Sequence, residues 1–179
     1  MDNLSKIKTF SRMFRMLISL FLFAVPVYYT LYWIFLNDLP SSFISVNIET
    51  GPAHAPLPPS LRLAGFAAGM FPLAALLFGM VNIRKLFLFY SQGNIFSFDH
   101  VQIFKKISRA LLLWVFFSIV YASVNSVLFS LSNPPGERVL SIGIGSPEIT
   151  VIVLAGIVSV IAWVMDEGRI LAEDQKLTV

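Results

Sequence analysis

The chain has 179 residues, 56% hydrophobic, 14% aromatic and 13% charged, with 17 Phe, no Cys and a formal net charge of +3. Soluble domains carry about 25% charged residues, so this composition, with a mean hydropathy of +0.78, excludes an ordinary water-soluble domain. The lack of Cys excludes disulfides and thiolate metal sites.

The basic residues stand beside apolar runs, so anionic lipid headgroups account for them better than direct nucleic-acid binding does. Residues 5–15 place Lys6, Lys8, Arg12 and Arg15 among Ile7, Phe10 and Phe14 at helical spacing. That pattern predicts a short interfacial helix lying at the headgroups. The apolar run 16–36 is the first span, longer than a signal-peptide core and without a small-x-small cleavage site. Tyr28, Tyr29, Tyr32 and Trp33 at its far end predict an aromatic belt. Residues 37–60 carry Pro40, Pro52, Pro56, Pro58 and Pro59 with a lone His54. A strand over 42–48 is conceivable there, but the prolines favour an irregular cap over one membrane face.

The second span covers 61–82. Gly65, Ala68, Gly69, Pro72, Ala75 and Gly79 fall near one helical face, with Gly65 and Gly69 in G-x-x-x-G spacing. Small residues let helices approach closely in lipid, either an internal neighbour or a second copy in a homodimer. The helical pattern continues through Arg84 and Lys85 to Ser91, about 46 Å in all, so it should protrude from the hydrocarbon. Gly93 suits the left-handed residue that ends a helix, and Ser97 with Asp99 suits the start of the next. A helical hairpin with its tip at 83–107 follows. His100, in the first turn of the returning helix, is expected to be solvent-exposed or paired with Asp99.

The third span, 108–131, is interrupted by Ser118, Tyr121, Asn125 and Ser126, and Ser118 and Asn125 share a face. Interhelical hydrogen bonds explain such residues, with a substrate path as the alternative. The loop 132–148 holds the turn Asn133-Pro134-Pro135-Gly136 and a small-residue run ending in Gly143-Ile144-Gly145-Ser146. That run lacks the Lys of a phosphate loop and the G-x-S-x-G order of a nucleophile elbow, and reads as a tight return to the membrane. The last span, 149–166, continues into a charged tail, 167–179. Within it Arg169 is spaced to pair with Asp166 and Glu173.

Eleven of the 13 basic residues lie at the N-terminus, the hairpin tip and the tail, leaving Arg62 and Arg138 on the other side. The positive-inside rule then places both termini and the tip in the cytoplasm. The expected fold is an all-α integral membrane protein, with four transmembrane helices in one antiparallel bundle. His54 and His100 fall on opposite sides, and no ionisable residue sits mid-span. No catalytic, metal or cofactor-binding residue is therefore expected, and the protein reads as a non-enzyme.

Three stretches carry a resemblance: Gly93-Asn94-Ile95-Phe96-Ser97 with Val101 and Ile107; the Asn133–Gly136 turn with Ser141-Ile142-Gly143; and Trp163-Val164-Met165-Asp166-Glu167-Gly168 through Glu173-Asp174 to Leu177-Thr178-Val179. Together they resemble the DUF2975 family over residues 61–179, and the N-terminal third is similar by hydropathy. The resemblance implies a bacterial inner-membrane protein of uncharacterised function with four spans. It also implies pairing with a small Cro-like helix-turn-helix regulator, and it supplies no catalytic residues. Two functions are therefore weighed. In the first, a soluble partner such as that regulator docks on the cytoplasmic face at Gly93, Phe96, Ser97, Asp166, Glu167, Glu173 and Asp174. In the second, a small transporter or binder of lipid or apolar ligands uses Gly65, Gly69, Ala75, Gly79, Ser118 and Asn125.

Overall fold

The structure is a computed structural model that describes residues 3–39, 57–93, 98–131, 134, 136, 138 and 140–177, with side chains described between 5 and 171. The strand considered at 42–48 and the proline-rich cap lie almost wholly outside the described residues. Four helices dominate: α1 (Asn3–Ile34), α2 (Pro59–Gln92), α3 (Phe98–Ser130) and α4 (Ser146–Leu177), with a 3-10 turn at Leu36–Asp38. All four are long and apolar enough to cross a membrane, which makes this an all-α, multi-pass membrane protein. At 34 and 33 residues, α2 and α3 measure about 50 Å, so the hairpin overshoots a ~30 Å hydrocarbon layer.

The N-terminal region differs from the interfacial helix expected for residues 5–15. It is the first part of α1, continuous with the span, because no Gly or Pro interrupts residues 5–25. Its aromatic face packs on protein. The Phe14 ring lies 4.5 Å from Phe10 and 5.2 Å from Phe87 of α2, and Ser11 is buried. The extended part of α2 offered a surface that the sequence did not reveal.

Helix ends are secured by specific groups. Pro59 begins α2, where its missing N–H costs nothing. Gly93 closes the helix at φ 85°, its N–H donating to the Tyr90 carbonyl at 3.0 Å. The C-terminal carbonyls of α1 are capped from another helix: the Arg62 guanidinium donates to Trp33 O at 2.7 and 3.2 Å and also to Ile34 O. The Asn37 amide clamps the two ends of the following loop together. Its Nδ2 donates to Leu57 O and its Oδ1 accepts from Leu57 N–H, both at 3.1 Å.

Each helix packs extensively on its neighbour in sequence, α1 on α2, α2 on α3 and α3 on α4. At the end opposite the basic residues, Trp33, Leu36, Leu57 and Phe129 form a core with Tyr29 and Tyr121 against it. At the basic end, Leu86, Ile103 and Ile107 form a second core, joined by Val158 of α4. The aromatic belt expected on α1 therefore divides. Tyr28 is 71% exposed while Trp33 is 4% exposed, and the Tyr29 hydroxyl donates to the Phe66 carbonyl at 2.7 Å.

Candidate functional site

Two regions gather the residues that the sequence singles out. In the membrane, the small face of α2 is occupied from within the chain. A Cβ on Gly65 would strike the Trp33 ring, and one on Gly69 would strike the Tyr29 hydroxyl and lie 2.8 Å from the Tyr121 ring. A Cβ on Gly79 would sit 3.3 Å from the Ala110 Cβ. These glycines thus admit α1 and α3 side chains to close contact, the work that hydrophobic drive performs in water.

Ala75 and Gly79 also help to wall a recess of about 280 Å³ between α2, α3 and α4, with Ile83, Ile107, Trp114 and Val151. Ser118 and Asn125 do not line it. Asn125 lies nearer the opposite end, its Oδ1 buried with no hydrogen-bond partner among the described residues. Ala75 and Gly79 line this recess, whereas Gly69 meets Tyr121, on the stretch of α3 between Ser118 and Asn125.

Polar contacts that the sequence reading missed lie elsewhere. The Ser108 hydroxyl donates to Ala155 O at 3.0 Å and lies 2.7 Å from the Ser159 hydroxyl, joining α3 to α4. Asn82 is buried and donates to Phe78 O at 2.7 Å. The spacing Ala155, Ser159, Ala162 was a detectable signal, a small-residue face at i, i+4, i+7.

The second region is the basic end. Of the two expectations for His100, solvent exposure is overturned: it is 0% exposed and stacks on Tyr90, with ring centroids 5.1 Å apart. The antiparallel hairpin turns it inward together with Ile103 and Ile107 of the same face. Asp166 joins α4 to α3. One carboxylate oxygen is 3.3 Å from Lys105 Nζ and the other 3.3 Å from Arg169 Nη2. The Arg169 guanidinium in turn lies over the Phe98 ring, 5.4 Å from its centre.

Asp166 is therefore engaged within the protein, whereas Glu167 is exposed. The side chain of Lys8 lies against Gly93. Phe96 and Ser97 fall outside the described residues. Glu173 and Asp174 continue α4, and their side chains are likewise outside the description. Among the described residues no cluster of three or more His, Cys, Asp or Glu is placed to hold a metal ion.

No curated protein and no solved structure matches the chain. The profile of a family described as a protein of unknown function, DUF2975, matches residues 48–179. That covers well over half of the chain, which therefore belongs to the DUF2975 family.

Proposed function

We propose that this is a non-enzymatic docking platform in a bacterial inner membrane, holding a soluble partner on its basic, cytoplasmic end. The observation that carries the reading is the length of helix beyond the span. With α2, α3 and α4 at 34, 33 and 32 residues, each is roughly 50 Å long against ~30 Å of hydrocarbon. The surplus at the basic end is braced by Asp166 between α3 and α4 and by His100 stacked on Tyr90. A braced projection of this kind offers a surface that binding need not first order.

Charge suggests the partner's chemistry. The α4 tail carries Glu167, Glu173 and Asp174, which repel DNA but complement a basic protein. A small helix-turn-helix regulator, the partner that the family resemblance suggests, has that character. Replacing Glu167, Glu173 and Asp174 together with Lys should release the partner from protein purified in mild detergent, read by mass spectrometry of co-purifying chains. An unchanged set of co-purifying proteins would remove the basis for docking on this tail.

A further inference from the structure

The recess between α2, α3 and α4 is unrelated to the docking surface. Its wall is apolar and aromatic, and at about 280 Å³ it falls below the ~300–1,000 Å³ of pockets that enclose drug-sized ligands. A polar solute entering it would lose its hydration without gaining a hydrogen bond. From Ala75 to Ile83 the slot runs eight residues of α2, about 12 Å. It therefore suits part of one hydrocarbon chain. No α1 residue lines it, and helices other than sequence neighbours do not pack extensively. A chain can therefore enter sideways from the bilayer, and an unfilled slot would forfeit the dispersion contacts of its lining.

One charge is placed to choose among lipids. Arg84 follows Met80, a lining residue, by one helical turn toward the basic end. It is exposed and makes no hydrogen bond or ion pair with the described residues. The Phe14–Phe87 contact brings Arg15 of α1 to within about 3 Å of the same depth. We propose that the recess seats one acyl chain of an anionic phospholipid whose phosphate is held by Arg84.

Trp114 in the recess wall provides the readout. In a Trp33→Phe, Trp163→Phe background it is the sole indole. The full chain is placed in phosphatidylcholine bilayers containing a fixed fraction of phosphatidylglycerol, with one or the other lipid brominated in its acyl chains. Brominated phosphatidylglycerol should compete for the site about fivefold better than phosphatidylcholine at equal mole fraction, the factor for ~1 kcal/mol from one basic residue at an anionic surface. Arg84→Gln, a change at an exposed position, should erase that preference. Val151→Phe should fill the slot and reduce quenching by both lipids. Equal quenching by the two lipids in the parent protein, or a preference that survives Arg84→Gln, overturns the proposal.

Discussion

Arg62 shows how much one side chain can do at the end of a helix. The last carbonyls of a helix have no intrahelical donor and sit at the negative end of the macrodipole. Arg62 supplies both the charge and the donors, reaching Trp33 and Ile34 from the first turn of α2. Arg62→Ala should cost about 1.5–3 kcal/mol, the usual value of hydrogen bonds from a charged group, seen as a lower melting temperature in detergent. Arg62→Lys should restore part of it, because an ammonium keeps the charge but loses the planar fork that spans two carbonyls. The sequence displayed the charge of Arg62 but not its role, since the carbonyls it caps lie 28 and 29 residues away.

The glycines provide a second test at the same scale. Gly65 and Gly69 are met by aromatic side chains of α1 and α3, whereas Gly156 of α4 has nothing within 4 Å of its would-be Cβ. Gly65→Ala and Gly69→Ala should each destabilise by about 1–3 kcal/mol through overpacking. Gly156→Ala should stabilise by up to about 1 kcal/mol, through helix propensity alone. Equal thermal shifts for all three would mean that the α1–α2 contact does not depend on these glycines.

Among elements, the spans were legible because a hydrocarbon layer imposes a minimum apolar length that few sequences disguise. Gly93 likewise announced the end of α2, since a left-handed closing residue favours glycine. The course of α1 before residue 16 was not legible: a basic amphipathic stretch looks the same whether it covers headgroups or a neighbouring helix. The exposure of His100 was misjudged for a related reason. A polar residue in a first turn reads as solvent-facing until the pairing partner, here Tyr90, is known.

The α3–α4 contact at the basic end can be tested as an element. Its charged side chains are 24–32% exposed, so each pair contributes at most about 1 kcal/mol. Asp166→Asn should therefore leave the global melting temperature nearly unchanged. It should speed amide exchange in the last turns of α4, and in the parent protein added salt should have the same local effect. A large global destabilisation would mean that the carboxylate holds more than these two cations.

At the scale of the whole molecule, every feature rests on the partition of four helices between lipid and water. The bilayer also explains the large apolar surface: Leu20, Phe23, Phe71, Phe116, Val153 and Trp163 are between 56% and 74% exposed, which would be untenable in water. The absence of Cys from the sequence permits a direct test of sidedness. Single substitutions Gln92→Cys at the tip of α2, Lys106→Cys in the returning turns of α3 and Glu167→Cys on α4 introduce exposed thiols at the basic end. Asp38→Cys introduces one at the opposite end. An impermeant maleimide should label Asp38→Cys in intact cells, and should label the other three only after the membrane is opened, because translocating so many Lys and Arg residues is unfavourable. If any of the three reacts alongside Asp38→Cys in intact cells, an even number of spans separates it from Asp38. The antiparallel arrangement of all four helices would then have to be abandoned.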